Sequence, residues 1–151
     1  MRSWHAIGIF CEDIRQEKTG QSLMGIWPDN VNVPEAPGVF PRIGVYVRVH
    51  VEPSANVGAI SGRLRFPDGS HHELGAFDLN LVKKTQEESR QKDAPWAGFV
   101  LTALAYNFPI QAEGRLLLLA RIGDDEVVCG SLNVRVGTDA NPSGDPSHPS
   151  A

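Results

Sequence analysis

Residues 41–53 read PRIGVYVRVHVEP, and apolar and polar positions alternate through them. Ile43, Val45, Val47, Val49 and Val51 share one parity, while Gly44, Tyr46, Arg48, His50 and Glu52 share the other. A period of two belongs to an extended strand; a helix would scatter the valines around its surface. The segment is therefore predicted to be a strand with one face in a core. Each buried aliphatic contributes about 1.5–3 kcal/mol, so a slip of one residue is very costly.

The same alternation recurs downstream. Ile60, Leu64 and Phe66 share a parity with Gly62, and Ser61, Arg63 and Arg65 take the other. Pro67-Asp68-Gly69 signals a turn, with a return strand from His71 to Leu79. Placing Leu64 opposite Leu74 sets Arg65 opposite Glu73, a cross-strand ion pair. Near the end of the chain a run from Leu116 to Ile122, a turn at Gly123-Asp124-Asp125 and a strand from Glu126 to Val136 form a second hairpin. The four consecutive leucines imply a strand covered on both faces, or one crossing from core to edge. Trp96 to Phe108 gives a further strand, stopped by Pro109. Between the hairpins, residues 81–96 are highly charged and lack apolar periodicity, which permits a short surface helix in the 81–95 crossover, ended by Asp93-Ala94-Pro95.

At the N-terminus, WHAIGIFC (4–11) and QSLMGIW (21–27) read as strands joined by the polar loop EDIRQEKTG. Pro28-Asp29-Asn30 closes the second, and a Pro-rich link leads to the valine strand. The sum is about eight strands with closely spaced turns. The expected fold is all-β: a two-sheet antiparallel β-sandwich, Ig-like or C2-like, in preference to a closed barrel. Residues 1–136 form the single domain, and GTDANPSGDPSHPSA (137–151) is expected to be a disordered tail.

Phe10-Cys11-Glu12-Asp13-Ile14-Arg15, followed by Gly20 to Trp27 and Pro28-Asp29-Asn30, resembles the opening of a family of small bacterial proteins defined as a domain of unknown function. The similarity is specific over about the first thirty residues and continues loosely through Pro41-Arg42-Ile43 and the valine strand. The family carries an aromatic such as Tyr where this chain has Trp27. The resemblance implies a cytoplasmic protein and carries no activity with it.

Composition narrows the classes. A chain of 151 residues is long enough to bury a core without disulfides or metal. The formal net charge of −4 argues against a general nucleic-acid binder, which would carry a basic excess. The two cysteines, Cys11 and Cys129, do not make a disulfide framework and are expected as reduced, largely buried thiols. No segment approaches the ~20 apolar residues of a membrane span. The first apolar run is short and has no cleavage site after it, so it reads as a first strand and the protein as cytoplasmic.

Candidate chemistry is sparse. Cys11 could be a nucleophile, but Glu12 and Asp13 beside it disfavour a thiolate, and Arg15 is expected to pair with Asp13. His71 and His72 point to opposite faces of a strand and cannot easily share a metal. No helical metal motif, phosphate loop or nucleophile elbow occurs. No catalytic residue and no cofactor is implied. Two binding sites are expected instead. If strands 42–52 and 58–66 form a hairpin, Arg48 and Arg63 meet on an outward face beside His50 and Tyr46, where they could hold a small anionic, nucleotide-like ligand. If consecutive strands alternate in direction, loops 12–19, 53–57, 80–97 and 123–126 share one end, and Glu12, Asp13, Asp124 and Asp125 could chelate calcium. The leading expectation is a non-catalytic module that binds another protein, or a second copy of itself, by a sheet face or an exposed edge.

Overall fold

The computed structural model describes residues 2–137. In chain order the elements are β1 (Trp4–Gln16), β2 (Gln21–Ile26), β3 (Asn30–Val33), β4 (Gly38–Val51), β5 (Ile60–Arg65), β6 (His71–Phe77), α1 (Leu79–Gln91), β7 (Ala97–Ile110), β8 (Gly114–Ile122) and β9 (Asp125–Val136). They build two open sheets. Sheet A has the order β2-β1-β4-β7 and sheet B the order β3-β9-β8-β5-β6. The expected tail lies, beyond Gly137, outside the described residues.

The valine strand is β4, and it occupies an interior position of sheet A. It pairs with β1 from Cys11↔Gly44 to Trp4↔Val51, and with β7 from Gly38↔Ile110 to Val51↔Ala97. Ile43, Val45, Val47, Val49 and Val51 are all buried. They face Ile60, Leu64, Leu116, Leu118, Ala120, Ile122, Leu132 and Val134 of sheet B, and together these residues form one core. The leucine run is covered on both faces. Leu116 and Leu118 belong to the core, whereas Leu119, in register with Arg63, is buried on the other side.

Five expectations need correction. The described strands number nine, because Asn30–Val33, expected as a link, pairs with β9. That pairing is parallel, so the sheets are not wholly antiparallel. Asn133 secures it: its backbone N–H donates to Asp29 O at 2.7 Å and its side-chain amide to Asn30 Oδ1 at 3.0 Å. β1 runs to Gln16, so Glu12–Arg15, expected as loop, lie in a strand paired with β2. Strand 97–110 passes through Pro109, which sits opposite Val39 near the strand's end. In the β5–β6 hairpin, Arg63 rather than Arg65 faces Glu73, and Leu64 faces His72. The tight turn closed by Phe66 N–H to Ser70 O at 2.9 Å fixes that register, and a shift follows between Gly62 and Arg63.

The charged crossover forms α1. Asp78 caps it by accepting from Leu81 N–H at 2.8 Å. Val82 and Gln86, one turn apart, are its buried face. The Gln86 amide donates to Glu52 O at 3.1 Å and Ala55 O at 2.8 Å, which ties the helix to the chain leaving β4.

The two sheets touch most closely where β1 passes β9. A Cβ built on Gly130 would lie 2.7 Å from Gly8 O, a backbone atom that cannot swing away. Gly130→Ala should therefore cost about 1–3 kcal/mol through overpacking. Gly20→Ala, where nothing lies within 4 Å, should be near neutral. Urea denaturation of the two variants checks the difference.

Candidate functional site

Because the β4 valines point inward, the alternate residues of β1, β4 and β7 form the outer face of sheet A. Its rows follow from the register. His5, His50 and Gly98 form one; Ile7, Arg48 and Val100 the next; then Ile9, Tyr46 and Thr102. Ile26, Cys11, Gly44 and Leu104 follow, and Arg42 faces Tyr106 beyond them. Met24 extends the face opposite Asp13. Most of these side chains are apolar, and several are open to solvent: Ile7 is 54%, Ile26 58% and Tyr106 65% exposed. Met24 and Val100 are exposed as well. Isolated surface apolar residues are ordinary, but a contiguous set spanning four strands is not.

Charge on this face is uneven. Arg15, Arg42 and Arg48 are its cations. The carboxylate in these rows, Asp13, lies 3.5 Å from Arg42 and 3.7 Å from Arg15, as expected for the Arg15 pair. At the Trp4 end, His5 meets His50 edge-on with ring centroids 5.1 Å apart, and Trp96 meets His5 edge-on at 4.8 Å. Burial lowers the His50 pKa, and the Arg48 charge and His5 lower it further.

The expected anion site is not assembled. Tyr46, Arg48 and His50 do share the outer face of sheet A, but Arg63 is on β5 in sheet B. Residues 52–59 carry the chain from one sheet to the other rather than making a hairpin. Arg63 is committed elsewhere: its Nε and Nη2 donate to Glu126 at 2.9 and 3.0 Å, a two-pronged ion pair. Those bonds hold the Glu126 carboxyl below its ordinary pKa, helped by the charges of Arg63, Arg121 and Arg65.

The expected calcium set does not meet either. Glu12 and Asp13 are in the half of β1 that pairs with β2, far along the strand from Trp4. Arg2 binds Asp125, which places the β8–β9 turn, with Asp124, at the Trp4 end instead. The other three loops do gather there: α1 bonds to Glu52 and Ala55, and Gly123 N–H donates to Ala59 O. Among the described residues, no group of three or more His, Cys, Asp or Glu side chains is placed to hold a metal ion.

The cysteines are free thiols. Burial raises the Cys11 pKa and the Asp13 charge adds to it, against a backbone hydrogen bond at Asp13 that lowers it. Burial pushes Cys129 up to about 11. Neither is poised as a thiolate near neutral pH.

A groove of about 490 Å³ adjoins the apolar face where Arg42 faces Tyr106. Glu12, Trp27, Phe40, Arg42 and Tyr106 line it. No local pattern announces this groove, since Tyr106 comes from a strand distant in the chain.

No protein-family model matches the chain, and no curated protein matches it. Among solved structures, it is similar to the Pseudomonas fluorescens alkylpurine DNA glycosylase AlkC bound to DNA containing an abasic site analogue. There the identity is 10% and the TM-score 0.46, covering 89% of this chain and 31% of that one. A β-glucosidase from Listeria innocua in complex with glucose gives 11% identity and a TM-score of 0.34, covering 87% of this chain and 16% of that one. The chain thus spans less than a third of either protein, and neither likeness bears on its activity. Among the described residues, no helix is long and apolar enough to cross a membrane.

The Arg63–Glu126 pair makes a testable link to pH. A carboxyl with a lowered folded pKa contributes stability that is present above its unfolded value, 4.5, and lost as pH falls through the folded value. Glu126→Gln should therefore be less stable than the wild type at pH 7, with the gap closing below pH 4.5. Denaturation midpoints measured across that range check the sign.

Proposed function

We propose that the chain is a non-catalytic binding module that docks another protein on the outer face of sheet A. The observation that carries the reading is the contiguous exposed set Ile7, Met24, Ile26, Val100 and Tyr106. A partner of matching chemistry offers an apolar surface rimmed by carboxylates. The apolar part covers the isoleucines, and the carboxylates meet Arg48 and the part of Arg42 that Asp13 leaves open. Tyr106 and Arg42 are the residue types that anchor interfaces most often. The two-sheet core serves as the scaffold, taken here as an Ig-like or C2-like sandwich in a cytoplasmic bacterial protein. The face needs no reactive group, which agrees with the raised thiol pKa values of Cys11 and Cys129.

A photo-crosslinking amino acid at position 7, with one at Ser61 on sheet B as control, tests the reading. Position 7 should capture a discrete protein that position 61 does not. Binding of that protein, once purified, should weaken about tenfold or more in Ile26→Asp, the loss of one buried apolar anchor. Capture from Ser61 alone, or unchanged affinity in Ile26→Asp, would contradict it.

A further inference from the structure

We infer that the free edge of β7 pairs with the β7 of a second copy of this chain, antiparallel about a two-fold axis, to make one eight-stranded sheet from two copies of sheet A. The inference goes beyond the docking reading and does not rest on it, because edge pairing leaves the outer face open.

The four sheet edges differ. β2, β3 and β6 have six, four and seven residues, and β6 carries Glu73 and two histidines. β7 has 14 residues, AGFVLTALAYNFPI, and none is charged. Natural edge strands are kept from pairing by charges, shortness, bulges or a cover. β7 lacks the first two along most of its length. Its irregular point, Asn107 with φ 53°, and its proline, Pro109, both fall near the C-terminal end.

Part of the edge is covered. Phe77 of β6 packs on Phe99 with centroids 5.3 Å apart, and Gly75 approaches Leu101. From Thr102 to Tyr106 the side chains are half-buried or exposed, including Ala103 and Ala105, which point toward the core. Among the described residues, β7 pairs with β4 on one side and has no strand on the other.

The chemistry of the edge selects the occupant. A two-fold axis at Leu104 sets Leu104 against its own copy and Thr102 against Tyr106 of the second chain. Both are favourable cross-strand pairs, and no like charges face each other. The nearest cations, Arg42 and Arg48, lie on β4. The two β4 strands would be three strand spacings apart, about 14 Å, well beyond the ~8 Å screening length of physiological salt. The residues after Gly137 are poor competitors for this edge. Pro142, Pro146 and Pro149 recur every three or four positions, and proline cannot donate to a ladder.

Sedimentation equilibrium of the full chain tests the pairing, together with Leu104→Cys treated with oxidised glutathione, which takes two electrons from the two Cys thiols so that they join as one disulfide and two reduced glutathiones leave. The mass should rise with concentration toward twice 16.4 kDa. Leu104→Lys should weaken association about tenfold or more by placing like charges directly across the axis. Ile7→Asp should leave it unchanged. Leu104→Cys, a milder change, should crosslink to its own copy faster than the native thiols, since Cys11 is fully buried and Cys129 has a pKa of about 11. A mass that stays at 16.4 kDa at the highest soluble concentration would overturn the inference. So would a dimer lost in Ile7→Asp but retained in Leu104→Lys, which would place the second copy on the sheet face, or a Leu104→Cys chain that fails to crosslink.

Discussion

β4 is held from two directions at once. Its backbone is paired along both edges, to β1 and to β7, while its row of Ile43, Val45, Val47, Val49 and Val51 is buried against sheet B. A shift of one residue would break two ladders and turn five aliphatic side chains into water. That would forfeit about 1.5–3 kcal/mol for each side chain, against a total stability of roughly 5–15 kcal/mol for a domain. This strand therefore fixes the other face of sheet A as firmly as it fixes the core. Tyr46, Arg48 and His50 have no alternative to pointing outward, and β1 and β7 must present Ile7, Ile9, Val100 and Leu104 beside them.

The outer faces of the two sheets are chemically unlike. Sheet A shows isoleucine, valine and tyrosine with three arginines and a histidine pair. The exposed side of sheet B places Arg63, Arg65 and Arg121 near Glu126, with Glu73 across from Arg63. The two-pronged Arg63–Glu126 bond is the ion pair formed on it among the described residues. The apolar face of sheet A, by contrast, keeps a hydrophobic cost in water that only another surface removes. The uncharged β7 edge bounds this same face.

Much of the strand content was legible because alternation is a local signal. The valine strand and the two hairpins follow from short-range patterns, and the helix allowed in the 81–95 crossover forms as Leu79–Gln91, starting inside the segment expected as strand. What failed was the assignment of strands to sheets. Residues 42–52 and 58–66 are neighbours in sequence and were expected as a hairpin. The connection 52–59 is longer than the usual two to five residues of a hairpin loop and contains Pro53, which fits a crossing between sheets. Arg48 and Arg63 were separated by that one error, and the carboxylate set by a similar one about loop directions. β3 escaped notice because four residues between prolines give too short a pattern. The apolar face left a trace in the sequence. In β1 both parities are apolar, with Trp4, Ala6 and Phe10 on one and Ile7, Ile9 and Cys11 on the other. β7 repeats this with Phe99 and Leu101 against Val100 and Leu104. Strands of that kind are normally covered on both faces. The pattern announces a covered face, although it cannot name the cover.

Methyl relaxation in the presence of a soluble paramagnetic probe measures the two faces of sheet A in one experiment. An outward apolar face with the valine row buried predicts strong broadening at the methyls of Ile7, Ile26 and Val100, and none at those of Val47, Val49 and Val51. Broadened valines, or protected methyls at positions 7, 26 and 100 in the isolated protein, would contradict it.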